Sequence, residues 1–393
     1  MRYLQDYPIE EKKVLVRVDY NVPIEKGHVT DDRRIRASLP TIEYLLSKRC
    51  RIILATHLGR PEGKVVSELK LDALTTELQK LLPDQTVIKL DDCIGPEVRQ
   101  KVESGSHKQI FLLENLRFYQ EEENNNPAFA HALASLADVY VNEAFSVSHR
   151  AHASVQAITH FLPGVAGFQL QKEIQNLSKA LRPLRPAVWI MGGAKLDKLL
   201  LVQKALDTAD YILVGGALAF AFLKAQGIPV GMSKIDVDSV ERAKEILQKK
   251  EARKIILPLD FVVVEKFSSR APCKVVRFNQ INNTQMGLDL GPATIKLFEQ
   301  YLRKAQTIVW NGPLGYYEWA NFALATKEIG RYIGKLTAIS ICGGGETADA
   351  LHNFYLDHHF THVSTGGGAA LEFLSGIKLP GLVALEENEQ KFR

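Results

Sequence analysis

Arginine recurs just beyond four short apolar runs in the first 150 residues of this 393-residue chain. Val14-Leu15-Val16 leads into Arg17-Val18-Asp19-Tyr20-Asn21, and Arg51-Ile52-Ile53-Leu54-Ala55 leads into His57-Leu58-Gly59-Arg60. Ile110-Phe111-Leu112-Leu113 leads into Glu114-Asn115-Leu116-Arg117, and Val139-Tyr140-Val141 into Asn142-Glu143-Ala144-Phe145 and then His149-Arg150. A guanidinium group matches carboxylate and phosphate oxygens in a bidentate fork. Several of them gathered in one place suit a small polyanion. The second half carries another chemistry. Gly192-Gly193-Ala194-Lys195, Gly215-Gly216, Gly343-Gly344-Gly345-Glu346-Thr347 and Gly366-Gly367-Gly368 each follow an apolar run and precede a helical pattern. Glycine lets backbone approach a ligand closely, and a helix N-terminus offers free N–H groups to phosphate. One half for an anion and the other for a nucleotide suggest phosphoryl transfer, which needs positioning, positive charge and a metal rather than covalent help. Lys195 and Arg34 are candidates for the charge, and Glu346 for holding Mg2+. No Walker A pattern and no protein-kinase H-R-D or D-F-G set occurs, so such a catalyst belongs to another kinase lineage.

These residues need elements to place them. The apolar runs read as buried parallel strands, and ligands on open α/β sheets bind beyond the carboxyl ends of strands. Strand, loop and helix alternate along the chain, which predicts an α/β fold with parallel sheets covered on both faces. Residues 31–47 read as a loop entering a helix, and 69–82 as a helix with Leu69, Leu74, Leu78, Leu81 and Leu82 on one side. Residues 121–127 read as a polar surface loop, with Pro127 opening the next helix. Residues 163–167 read as a loop. Residues 169–181 then have helical periodicity through Leu170, Ile174, Leu177 and Leu181, stopped by Arg182-Pro183-Leu184-Arg185-Pro186. A lone helix between Gly and Pro punctuation reads as a domain connector.

Length and composition set the bounds. A chain this long exceeds one ordinary core, so two domains are expected. It is 46% hydrophobic and 24% charged, with a formal net charge of +4. That small charge, without a dense basic run, speaks against nucleic acid as partner. Four scattered cysteines without a C-x-x-C pair argue against a disulfide framework or zinc site and fit a reducing compartment. The N-terminus lacks a signal-peptide apolar region, and the longest apolar run, residues 211–223, is too short to span a bilayer. These features predict a cytoplasmic protein with no membrane partner.

The motifs together resemble the phosphoglycerate kinase family over nearly the whole chain. The resemblance rests on Arg17-Val18-Asp19-Tyr20-Asn21-Val22-Pro23, His57-Leu58-Gly59-Arg60-Pro61, Glu114-Asn115-Leu116-Arg117-Phe118 and Asn142-Glu143-Ala144-Phe145 with His149-Arg150. It continues through Gly192-Gly193-Ala194-Lys195, Trp310-Asn311-Gly312-Pro313-Leu314-Gly315, Gly343-Gly344-Gly345-Glu346-Thr347 and Ser364-Thr365-Gly366-Gly367-Gly368-Ala369. It implies reversible transfer of the acyl phosphate of 1,3-bisphosphoglycerate to MgADP, giving 3-phosphoglycerate and ATP in glycolysis and gluconeogenesis. By resemblance, Asp19, Asn21, Arg34, His57, Arg60, Arg117 and Arg150 hold the phosphoglycerate. Arg34 and Lys195 are the catalytic pair. Lys195, Lys198, Asn311, Pro313, Glu318, Gly344, Gly345, Glu346, Thr347, Gly366 and Gly367 surround the nucleotide, with Glu346 at Mg2+. The resemblance also implies a monomer of two Rossmann-like domains. It divides as residues 1–168 for phosphoglycerate, a connecting helix at 169–182, 183–375 for nucleotide, and 376–393 returning to the first domain. A hinge near residues 163–186 would close the domains.

Two positions depart from the family pattern. Glu346 stands where the family mostly carries aspartate, and its extra methylene allows direct or water-mediated metal contact. The second lysine of the glycine loop usually follows the first by four residues, whereas Lys198 follows Lys195 by three; both spacings share a helix face. Arg33 and Arg36 read as a solvated helix face, and His149 and His152 stay open between packing and site support. Two other functions fit parts of the pattern. A dinucleotide oxidoreductase lacks its G-x-G-x-x-G opening, and a sensor that kept the fold would bind ADP without turnover.

Overall fold

The apolar runs are strands, and burial explains their composition. The structure, a computed structural model, describes residues 1–194 and 197–392. The chain divides into two compact units, Met1–Ile174 with the segment from Lys378 onward, and Gln175–Ile377.

In the first unit the strands are β1 (Lys13–Arg17), the hairpin β2 (Ile24–Glu25) and β3 (His28–Val29), β4 (Arg51–Ala55), β5 (Thr86–Lys89), β6 (Gln109–Leu112), β7 (Val139–Asn142) and β8 (Gly164–Ala166). Six of them make one parallel sheet in the order β5-β6-β4-β1-β7-β8. The four runs that precede arginines are its four central strands. Arg17 stands in register with Ala55 on one side and Asn142 on the other. Parallel pairing therefore delivers the loops after β1, β4, β6 and β7 to the same carboxyl edge.

Helices α1 (Arg33–Ser47), α2 (Asp72–Leu81), α3 (Pro96–Ser104), α4 (Gln120–Glu123) and α5 (Pro127–Ala134) join these strands. Helix α1 buries Ile35, Thr41, Ile42 and Leu45, and Ile35, Ile42 and Leu45 join Val14, Val16, Ile52 and Leu54 in one core cluster. Each such side chain contributes roughly 1.5–3 kcal/mol on burial. Pro127 does open α5, and Asn126 caps it by accepting from Ala128 and Phe129 N–H.

The second unit repeats the plan. Strands β9 (Ala187–Met191), β10 (Tyr211–Val214), β11 (Ile255–Ile256), β15 (Thr307–Asn311), β16 (Ile339–Gly343) and β17 (His362–Val363) form a parallel sheet, ordered β11-β10-β9-β15-β16-β17. All five residues of β9 and of β15 are buried. Helices α7 (Asp197–Thr208), α8 (Gly216–Ala225), α9 (Val237–Leu247), α10 (Pro292–Leu302), α11 (Leu324–Ile333), α12 (Gly345–Asn353) and α13 (Gly368–Leu374) belong to this unit. Helix α6 (Phe168–Leu181) runs across the division at 174/175, and α14 (Pro380–Lys391) belongs to the first unit. There the Asn388 side chain accepts from Gly164 N–H and donates to the carbonyls of Thr159 and Leu162. No helix among the described residues is long and apolar enough to cross a membrane.

Four expectations change. Gly164–Ala166, expected as loop, is the edge strand β8, fixed by β7 and by Asn388. The stretch 121–126, expected at the surface, begins in the turn α4 and carries the fully buried Glu122. The helix expected over 69–82 starts at Asp72. A parallel-only pattern fails where β12 (Asp260–Val264), β13 (Lys274–Arg277) and β14 (Met286–Leu290) form an antiparallel sheet ordered β13-β12-β14. No helix intervenes between these strands, and short connections favour antiparallel neighbours.

Candidate active site

At the carboxyl edge of the first sheet the side chains form two linked groups. Asp19 Oδ2 accepts from Arg34 Nη1 at 2.6 Å and from the Ser146 hydroxyl, while Asp19 Oδ1 accepts from Asn21 N–H at 3.2 Å. Asn21 Oδ1 in turn accepts from Gly59 N–H at 3.0 Å. Asp19 thus aims Arg34, and Asn21 ties the β1 loop to the β4 loop. Arg33 and Arg36, its neighbours on α1, pair instead with Asp31 and Asp32.

The second group is deeper. Arg117, 3% exposed, donates to Gly59 carbonyl at 2.8 Å and lies 3.2 Å from Glu123. Burial, then Arg150, push its pKa down to about 10, so it stays cationic at neutral pH. Arg150 Nε reaches His149 Nε2 at 3.4 Å, and it pairs with no carboxylate among the described residues. Arg60 is exposed, with no hydrogen bond or ion pair to a described residue. His57 is buried, and burial followed by Arg17, Arg117 and Arg150 holds its imidazole well below the usual 6.5. Burial, then Arg150 and Arg117, lower His149, and burial followed by Arg17, Arg117 and Arg150 pushes His152 down to about 3. Three guanidinium groups and three neutral imidazoles therefore share one edge. Such a surplus of cations is an anion site in waiting.

The second unit has a cavity of about 570 Å³, well within the size range of small-molecule sites. Its walls include Phe220, Phe261, Phe267, Met286 and Leu290, with Pro313, Glu318 and Glu346 also lining it. Gly193 and Gly216 close one side. The loops above β9 and β15 cross so tightly that only glycine fits. A Cβ on Gly312, where φ is +93°, would lie 2.1 Å from Gly192 carbonyl oxygen. At Gly345 and Gly367 a Cβ would meet nothing within 4 Å, so backbone there is open to a ligand. Gly344, at φ +94°, immediately precedes α12, and Gly366 and Gly367 precede α13. Asn311 is fully buried; its Oδ1 accepts from Lys198 Nζ, and its Nδ2 has no hydrogen-bond partner among the described residues. Thr347 is buried and its hydroxyl accepts from Gly312 N–H at 2.6 Å, so it shapes the loop. Lys195 lies outside the described residues.

A model of the family described as phosphoglycerate kinase matches residues 4–377. The chain belongs to the phosphoglycerate kinase family. It is 49% identical to the phosphoglycerate kinase of Moorella thermoacetica over 388 residues, 98% of each chain. It is 45% identical to the chloroplastic phosphoglycerate kinase of Volvox carteri, over 96% of this chain and 84% of that one. Among solved structures, phosphoglycerate kinase from Coxiella burnetii superposes with a TM-score of 0.88 at 34% identity, covering 98% of each chain. The Pyrococcus horikoshii phosphoglycerate kinase gives 0.87 at 31% identity over the full length of both.

Seen as a phosphoglycerate kinase, the chain links Asp19, Asn21, Arg34 and Arg117 by hydrogen bonds through Gly59, sets Arg117 and Arg150 close enough to His57 to act on its charge, and groups Asn311, Pro313, Lys198 and Glu346 around Gly192, Gly193 and Gly312. Reading the sequence missed Glu122, Ser146 and Ser154 on the first unit and the aromatic wall Phe220, Phe261 and Phe267 on the second. Ser146 and Ser154 flank His149-Arg150 and were within reach of that motif. Nothing local marks the aromatic wall, which comes from α8, β12 and the loop that follows β12. No group of three or more metal-ligating side chains occurs among the described residues. One carboxylate, Glu346, beside a cavity fits Mg2+, which uses one or two carboxylates, waters and substrate phosphates.

Proposed function

We propose that this chain catalyses reversible phosphoryl transfer between 1,3-bisphosphoglycerate and MgADP, giving 3-phosphoglycerate and ATP. The carrying observation is the cation-rich carboxyl edge of the first unit, where Arg150 and Arg60 have no carboxylate partner among the described residues. A triose bearing a carboxyl group and phosphate supplies the anions that these forks lack. In the forward reaction the acyl oxygen–phosphorus bond breaks and a bond forms from phosphorus to an ADP β-phosphate oxygen. Arg34, aimed by Asp19, offsets charge on the moving group; Arg60, Arg117 and Arg150 hold the phosphoglycerate; His57 donates one neutral hydrogen bond. The nucleotide base enters the apolar cavity, Glu318 takes the ribose, and the N–H groups at Gly344, Gly345 and Gly367 face phosphate, while Gly366, whose N–H donates to the Ser364 hydroxyl at 3.0 Å, shapes the loop beside them. Lys195 and Lys198 supply charge there. Glu346 would hold the Mg2+ that arrives with the nucleotide, which would neutralise phosphate charge there. Donor and acceptor on different units require a hinge near residues 163–186, with the units approaching only when both ligands are bound. The protein acts as a cytoplasmic monomer on small molecules.

The test is turnover. Purified protein with MgATP and 3-phosphoglycerate forms ADP in a coupled assay, and Arg34→Ala abolishes it while circular dichroism stays unchanged. Near-normal rates in Arg34→Ala remove its role, and ADP binding without turnover in either direction favours the sensor reading.

A further inference from the structure

Arg17 follows the pattern of a ligand-binding arginine, yet its side chain is committed inward. It is 1% exposed. Its Nε donates to Ser154 Oγ at 2.8 Å, its Nη1 to the Val18 carbonyl, and its Nη2 meets His57 Nδ1 at 3.2 Å. Ser154 is held from behind by Glu122. Its hydroxyl donates to Glu122 Oε1 at 2.6 Å and its N–H to Oε2 at 2.9 Å. Glu122 and Ser154 are both completely buried. The result is a chain of four side chains from Glu122 through Ser154 and Arg17 to His57.

The consequence lies in the imidazole. Arginine can only donate, so His57 Nδ1 must present its lone pair to Nη2. A neutral ring then carries its proton on Nε2. His57 Nε2 has no protein partner among the described residues. We infer that Arg17, backed by Ser154 and Glu122, is a positioning residue that locks His57 as the Nε2–H tautomer, so that the ring offers an anionic substrate a donor and never a lone pair. This rests on the substrate-binding role given to His57 above. Arg117, Arg150 and His152 also face the ring, and with Arg17 and burial they oppose a second proton. Without the lock, the Nδ1–H tautomer becomes accessible; those rings point an acceptor at the substrate, and a hydrogen bond to an anion becomes a repulsion.

The experiment is nitrogen-15 NMR of histidine-labelled full-length protein, with His57→Gln identifying the His57 signals, alongside steady-state kinetics. Wild type should show a pyrrole-like Nε2 and a pyridine-like Nδ1 at every pH from about 5 to about 8. Arg17→Lys, whose single ammonium cannot fork between Ser154 and His57, should give mixed tautomers. It should raise the KM for 3-phosphoglycerate about ten- to hundredfold, with the KM for MgATP unchanged. Ser154→Ala should do the same more weakly, and serves if Arg17→Lys does not fold. A wild-type His57 carrying its proton on Nδ1, or charged at neutral pH, overturns the role without any variant. So does an Arg17→Lys protein with unchanged tautomer and KM. Turnover alongside the wrong tautomer removes the positioning role alone. If 3-phosphoglycerate neither turns over nor shifts the His57 signals, the substrate assignment falls, and the role with it.

Discussion

Glu143 should make the first unit less stable as the pH rises, and replacing it by glutamine should abolish that loss. The residue follows β7 and is 3% exposed. Its Oε1 accepts from the Thr41 hydroxyl at 2.8 Å and from Gln169 N–H at 3.1 Å, while Oε2 has no hydrogen-bond partner among the described residues. Burial pushes its pKa up to about 8, against those two hydrogen bonds, which favour the charged form. In the unfolded chain the same carboxyl titrates at its ordinary value of 4.5. Between these values the folded state binds the extra proton, so stability is full below the unfolded pKa and falls as the pH climbs towards the folded one. At 1.36 kcal/mol per pKa unit, the total loss is about 5 kcal/mol, and about 3 kcal/mol of it falls between about pH 6 and about pH 9. Glu143→Gln keeps the Oε1 acceptor and cannot ionise. Its unfolding midpoint in urea, relative to wild type, should rise by about 1 M between those pH values. Far-UV circular dichroism is the right probe, since Trp189, Trp310 and Trp319 all lie in the second unit. Titrating groups elsewhere are common to both proteins and cancel. An unchanged midpoint gap at the two pH values would refute the argument.

The remaining tests address the nucleotide and the transfer. Glu346→Gln should raise the Mg2+ concentration for half-maximal turnover by about tenfold, as expected for loss of one charged ligand, and leave the KM for 3-phosphoglycerate alone; an unchanged Mg2+ dependence would take Glu346 off the metal. Small-angle scattering should show a smaller radius of gyration with 3-phosphoglycerate and a non-hydrolysable MgATP analogue together than with either alone, and an unchanged radius would remove the hinge.

The fold was legible where local pattern and tertiary role coincide. Central strands such as β1 and β4 are buried on both faces, so their sequences are unbroken apolar runs whose period cannot be mistaken for an exposed element. Edge strand β8 has no such run. Its three residues, Gly164–Ala166, become a strand because β7 pairs with them and Asn388 reaches Gly164 from 224 positions away. Helix α4 failed for a similar reason. Glu121, Glu122 and Glu123 look equivalent in sequence, but one helical turn sends Glu122 inward while Glu121 stays in water.

The site divides along the same line. Ligand-facing groups announce themselves because phosphate chemistry restricts the residue types: arginine at strand ends, glycine where backbone must come close. The groups that hold them do not, because a carboxyl or hydroxyl that completes a buried hydrogen bond can come from any segment that folding brings near. Arg17 shows why type alone misleads. It shares its motif with Asp19 and Asn21, yet lies inside strand β1, where its donors are taken by Ser154, Val18 and His57. Two residues further along, past the end of the strand, Asp19 faces Arg34. A difference of two positions at a strand end separates a guanidinium turned back into the sheet from a carboxylate that pairs with Arg34, and that difference is set by where the hydrogen-bonded ladder stops. Charge follows from it: burial first, and then the guanidinium of Arg17 held within the sheet edge, lower the pKa of His57. Glu122, Ser154 and Arg17 thus bear on the chemistry of His57 through a continuous chain of buried hydrogen bonds, which places each of them under constraint from the ring they back.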